Sequence, residues 1–135
     1  MNISEAAERS GVSAKMIRYY ESISLLAPPA RRDNGYRDYG DADVSVLQFV
    51  RRTRDLGFSL AEVRALLALW RDRKRPSREV KRLAMAHIDD LEQRIRDMRT
   101  VVRTLRDLAV HCHGDERSDC PILDDLAAPL RRRKR

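Results

Sequence analysis

Between Ser77 and Gly114 the chain contains neither proline nor glycine, and its apolar residues follow a strict rhythm. Ala84, Ile88, Leu91, Ile95, Met98, Val102, Leu105 and Ala109 recur at alternating spacings of four and three. That alternation is the seam of a heptad repeat on one long helix. The seam runs roughly 39 Å at ~1.5 Å per residue, too long for a small neighbouring domain to cover. A second helix must bury it. An internal hairpin is a poor source, because beyond Gly114 only Ile122, Leu123, Leu126 and Leu130 offer apolar cover. The same helix from a second copy is the simpler partner, so the pattern predicts a homodimer.

The first half of the chain has shorter periods. Ser4 can cap a helix running to Arg9, Gly11 supplies a turn, and Ser13 can cap a second helix, AKMIRYYE. In that second helix Met16, Ile17 and Tyr20 fall at packing positions, leaving Lys15, Arg18 and Tyr19 outward. Helix, glycine turn and helix make the outline of a helix-turn-helix. Pro28 and Pro29 then stop helical structure, and RRDNGYRDY centres Asn34-Gly35 between extended residues, a strong hairpin signal. This ribbon carries Arg31, Arg32, Tyr36, Arg37 and Tyr39 and reads as a wing suited to lie along phosphates.

Asp41 or Asp43 opens a third helix with Val44, Leu47 and Val50 inward and Arg51, Arg52 and Arg54 as a basic patch, and Gly57 stops it. Ser59 and Glu62 form a capping-box pattern for a fourth helix, on which Val63, Leu66, Leu67 and Trp70 share a face. The fold expected is mainly α. A winged helix-turn-helix DNA-binding region (1–75) leads into a long dimerisation helix (76–111); an antiparallel coiled coil would bring each helix end near the start of the other, though the pattern alone leaves orientation open. A metal-binding loop and C-terminal segment (112–130) and a disordered basic tail (131–135) follow.

Charge sharpens this division of labour. The formal net charge is +7. Residues 1–78 carry 15 basic and 10 acidic side chains, residues 79–130 carry 8 and 11, and the terminal RRRKR adds five cations. A basic N-terminal half suits a polyanion such as duplex DNA, with Lys15 and Arg18 reaching toward base edges and a dimer reading a two-fold symmetric site. No apolar run is long enough to span a bilayer and no signal peptide is apparent, so a cytoplasmic location without membrane partners is expected. No nucleophile elbow, phosphate-binding glycine loop or H-E-x-x-H is present, which argues against an enzyme.

The two cysteines, Cys112 and Cys120, bracket CHGDERSDC just before Pro121. A reducing compartment disfavours a lasting disulfide. With His111 and His113 they reach the ligand count of a Cys2His2 zinc site. As two thiolates alone they suit a soft monovalent ion, Cu(I) and by the same logic Ag(I) or Au(I). Inert packing and a two-cysteine redox switch are the other readings that the spacing leaves open. Ser77 reads as the N-cap of the long helix, and His87, one position from the seam, as a helix-surface residue.

The stretches ISEAAERSGVSAKMIRYYE, RRDNGYRDY, RDLGFSLAEV and CHGDERSDCPIL together resemble the MerR family of transcriptional regulators, over nearly the whole chain. The C-x7-C-P loop, combined with serine at the start of the long helix, is similar to its copper-responsive CueR/HmrR branch. The resemblance implies that Cys112 and Cys120 are the thiolate ligands of Cu(I). It places Ser77 of the partner subunit where relatives sensing divalent metals carry a cysteine, making it a metal-selectivity position. It implies that Lys15, Arg18, Tyr19, Tyr36, Arg37 and Arg54 approach DNA, and that metal favours a distorted promoter that RNA polymerase can use, the apo form repressing. One departure stands out: ESISL carries Ser24 where the family pattern has glycine, so a left-handed backbone there would be strained.

Overall fold

In a computed structural model, residues 1–31 and 37–129 are described, with the side chains of Ala30 and Arg31 set aside. The elements run α1 (Ile3–Ser10), α2 (Ala14–Ser22), β1 (Ala30–Arg31), β2 (Arg37–Asp38), α3 (Asp41–Asp55), α4 (Leu60–Arg71), α5 (Ser77–Val110) and α6 (Pro121–Ala127). The mainly helical architecture is the expected one. The chain divides into a unit over Met1–Leu83 and a second from Ala84 onward. None of the helices among the described residues is long and apolar enough to cross a membrane.

Local chemistry sets the boundaries of the first unit. Asn2, not Ser4, caps α1: its Oδ1 accepts the Glu5 amide at 2.8 Å, so the helix starts one residue before Ser4. Asparagine is as good a cap as serine. Gly11 ends α1 at φ +73°, and a Cβ placed there would sit 1.6 Å from the Arg51 guanidinium. Gly40 precedes α3 and donates its amide to Asp43 Oδ2 at 2.9 Å. The capping box of α4 forms in both directions, Glu62 N to Ser59 Oγ at 3.2 Å and Ser59 N to Glu62 Oε1 at 2.9 Å.

The core gathers one face from each of α1 to α4: Ala6, Ile17, Leu47 and Val63 are fully buried, with Leu26, Val50 and Leu67 beside them. Trp70 is 42 % exposed, and its ring stacks on Phe49 at 4.7 Å between centroids. Met16, expected to pack, is exposed on α2, because Ile17 and Tyr20 already supply the buried stripe of that short helix. Tyr39, expected on the wing surface, is instead a core residue, 1 % exposed. Its amide donates to the Met1 carbonyl at 2.7 Å, and the Met1 amino group donates to the Tyr39 carbonyl and to Asp38. β1 and β2 pair antiparallel, Ala30 with Asp38 and Arg31 with Arg37, as a hairpin requires. The Asn34-Gly35 turn itself lies outside the described residues, as does the RRRKR tail.

α5 begins at Ser77 itself, with the Glu79 amide bonded to the Pro76 carbonyl at 3.2 Å. Ser77 is therefore the first helical residue and not the flanking cap. In the second unit, Ile88, Ile95, Met98, Val102 and Leu105 are all exposed along α5, so the seam read from sequence is uncovered within one chain. His87, expected on the surface, is 6 % exposed. It projects about 100° from Ile88 on the helix, so one side of α5 can bury it while the seam stays open.

Candidate nucleic-acid interface and cysteine loop

α2 presents the residues expected to meet DNA. Ser13 Oγ accepts the Met16 amide at 3.2 Å and fixes the start of the helix. Ile17 and Tyr20 anchor its inner side, which leaves Lys15, Arg18 and Tyr19 exposed on the outer side. No acid of α2 lies in its first turn. Beside its N-terminus an open cleft of about 220 Å³ is lined by Gly11, Val12, Ser13, Met16, Arg51 and Arg54, among others.

The exit of α2 is a Schellman motif. The Leu25 amide donates to the Tyr20 carbonyl at 2.9 Å and the Ser24 amide to the Glu21 carbonyl at 3.0 Å. This motif needs a left-handed residue, and Ser24 supplies it at φ +60°, the one non-glycine positive φ among the described residues. The strain anticipated from ESISL is present.

Two of the basic residues expected at DNA have partners within the protein. Arg54 Nη1 donates to the Phe58 carbonyl at 2.8 Å, bracing the turn between α3 and α4. Arg37 forms an ion pair with Glu21 Oε2, and the other carboxylate oxygen of Glu21 accepts the Tyr39 hydroxyl at 2.5 Å. Glu21 is 9 % exposed, so this triad ties the buried side of α2 to β2. Burial, reinforced by the bond to Glu21, pushes the Tyr39 phenol from 10.0 up to about 12. No local spacing signals the triad, because Glu21 lies 16 and 18 positions from Arg37 and Tyr39 and meets them only through the tertiary fold. Tyr36 lies outside the described residues.

The second unit carries the cysteine loop. Cys112 follows the end of α5, its amide bonded to the Ala109 carbonyl at 3.1 Å, and Cys120 is the residue before Pro121 at the start of α6. Both are free thiols, each partly exposed. Gly114 turns the loop at φ +64° with open space around it, and Arg117 folds back on Asp115 at 2.8 Å. His111 spends its Nδ1 on the Asp107 carbonyl at 2.6 Å. Among the described residues no group of three or more His, Cys, Asp or Glu side chains converges, so a Cys2His2 set is not assembled within one chain. The donors best fitted to a metal are the two accessible sulfurs, which are soft ligands. Ser77 is exposed at the start of α5.

Comparison with known proteins agrees with this layout. The profile described as "MerR HTH family regulatory protein" matches residues 1–70, and "MerR, DNA binding" matches residues 44–108. The chain is 57 % identical over 127 residues to "Heavy metal-dependent transcription regulator 2" of Rhizobium meliloti, covering 94 % of this chain and 86 % of that one. It is 42 % identical to "HTH-type transcriptional regulator CueR" of Yersinia pestis, covering 94 % and 91 %. Among solved structures, the regulator PbrR691 from Ralstonia metallidurans CH34 in complex with lead(II) superposes with a TM-score of 0.82 at 34 % identity, covering 94 % and 99 %. The helix-turn-helix outline, the long helix and these matches identify a transcription regulator and not an enzyme: the chain belongs to the MerR family.

Proposed function

We propose that this protein is a homodimeric, Cu(I)-responsive transcriptional regulator that binds promoter DNA through α2 and the wing and senses metal through Cys112 and Cys120. The observation that carries the reading is the pair of free, partly exposed thiols at either end of a glycine-turned loop, in a chain whose α5 starts with serine and not cysteine. Two thiolates and a monovalent cation leave a single negative charge, whereas a divalent ion would seek further donors that Ser77 does not supply. Ag(I) and Au(I) satisfy the same donor set. The heavy-metal and CueR names of the relatives support this choice of ligand class.

The chain's own residues divide the work. Lys15, Arg18 and Tyr19 face outward on α2, where cations and an aromatic can meet phosphates and base edges. Arg37 and Arg54 act first as braces, holding β2 against α2 and α4 against α3, so their share in DNA binding is to present the surface. The exposed seam of α5 joins two copies antiparallel, bringing Ser77 of the partner subunit toward the loop. Cys112 and Cys120 would hold Cu(I) through two soft sulfurs, and that link would order the loop between them. Ordering one end of the dimer helix then favours one of two shapes of the dimer and so one shape of the DNA held by both α2 helices, which RNA polymerase reads as activation.

The test is transcription in vitro from the protein's own promoter fragment with RNA polymerase and reduced protein. Cu(I) buffered by a chelator is expected to raise transcript yield from a repressed apo baseline, and Cys112→Ser or Cys120→Ser to abolish the rise while DNA binding persists. A full response in either variant overturns the two-thiolate reading. Activation by oxidant without metal indicates a redox switch instead.

A further inference from the structure

α2 ends without a cation of its own: its last turn holds no basic residue to offset the negative end of the helix dipole. The missing charge comes from another helix. Arg64 of α4 donates Nη2 to the Ile23 carbonyl at 2.7 Å and Nη1 to the Ser24 carbonyl at 3.2 Å. One planar guanidinium thus bridges two consecutive carbonyls at the exit of α2, a geometry for which its fixed fork is suited. These are the carbonyls of the C-cap and of the strained left-handed residue that follows it.

α2 is only nine residues long, and its extensive backbone packing is with α1, not with α4. Ile17 and Tyr20 seat its inner side in the core and Glu21 ties it to β2, while the side-chain bonds from Arg64 hold its exit to α4. Within the helix, Ser13 caps the start and the Schellman turn closes the exit. α4 is a firm base for that contact, because Val63 and Leu67, on either side of Arg64 in sequence, are buried. Arg64 itself is exposed, so losing it leaves the core intact while freeing the end of the helix that carries Arg18 and Tyr19.

We propose that Arg64 is a positioning residue for DNA recognition, holding the exit of α2 from α4 so that Lys15, Arg18 and Tyr19 meet the duplex in fixed register. This rests on the reading of α2 as the DNA-facing helix. The test uses full-length protein and a duplex selected by the wild type from a random pool, with affinity measured across a salt series for Arg64→Met and Arg64→Lys. Arg64→Met is expected to bind about tenfold more weakly, with an unchanged salt slope and a nearly unchanged melting temperature, and Arg64→Lys, which keeps the charge but loses the fork, to recover only part of the loss.

Unchanged affinity in Arg64→Met overturns the proposal. A salt slope smaller by about one also overturns it, since Arg64 would then be a phosphate contact itself. If affinity falls only in step with melting temperature, and adding Ser24→Gly restores both together, the role is structural and the proposal fails. If the wild type selects no duplex, the DNA-facing reading of α2 fails and takes this one with it.

Discussion

Replacing Ser24 by glycine isolates the cost of the left-handed turn that ends α2. Ser24 sits at φ +60°, where the Cβ of an L-residue crowds the following carbonyl, at a cost of roughly 1–2 kcal/mol. Its side chain returns nothing visible: the residue is exposed, and among the described residues its hydroxyl has no hydrogen-bond partner. Both Schellman bonds and both Arg64 contacts use backbone atoms, which glycine keeps. Against the relief stands the larger entropy of glycine in the unfolded chain, about 0.4–1 kcal/mol. The net is a gain centred on ~0.8 kcal/mol, within bounds of about 0–1.6 kcal/mol, or roughly 3–6 °C in melting temperature for a unit of this size. Thermal denaturation followed by circular dichroism at fixed protein concentration measures it. Ser24→Ala is the control, since alanine keeps the Cβ and should not stabilise. If Ser24→Gly melts at or below the wild-type temperature, or if alanine stabilises as much as glycine, the strain argument is refuted.

The triad bears on two further outcomes and Ser77 on a third. Tyr39→Phe removes the donor to the buried Glu21 carboxylate and should cost about 1–3 kcal/mol in urea unfolding, with a parallel loss of DNA affinity through the displaced β2. Because the folded state raises the Tyr39 phenol from 10.0 to about 12, it keeps its proton where the unfolded chain loses it. That contribution is fully present below about pH 10 and is lost as pH rises toward 12, so melting temperature should fall more steeply over that window in wild type than in Tyr39→Phe. Equal slopes would refute the assignment. Ser77→Cys should add a response to Zn(II) or Hg(II) in the transcription assay, and unchanged metal selectivity with intact folding would show that Ser77 does not face the loop.

How far the sequence reaches depends on the range of the interaction. The seam from Ala84 to Ala109 is a repeating pattern on one helix, and the capping box of Ser59 and Glu62 closes within four residues, so both were readable. Ser24 stands out only against the family pattern, which carries glycine there, and its backbone is left-handed. Tyr39 is not legible, because β2, which ends just before it, is two residues long, too short for alternation to separate the inner face from the outer. Met16 and Ile17 both suit a buried position, and only the tertiary contacts of a short helix choose between them. Arg37, Arg54 and Arg64 look alike in sequence as surface cations. Their partners are respectively a buried carboxylate, a turn carbonyl and a helix end, which no local spacing encodes. Cys112 and Cys120 stand out in the sequence by their spacing, and the loop that separates them turns at Gly114.

The central claim is that Cys112 and Cys120 together form the sensor, and anaerobic titration of the reduced protein with Cu(I) in competition with a chelator tests it most directly. The account predicts one Cu(I) per subunit bound tightly by wild type, with X-ray absorption showing sulfur neighbours only, and collapse of that affinity in Cys112→Ser and in Cys120→Ser. Undiminished Cu(I) affinity in either variant, or a coordination shell that includes imidazole nitrogen, would contradict it.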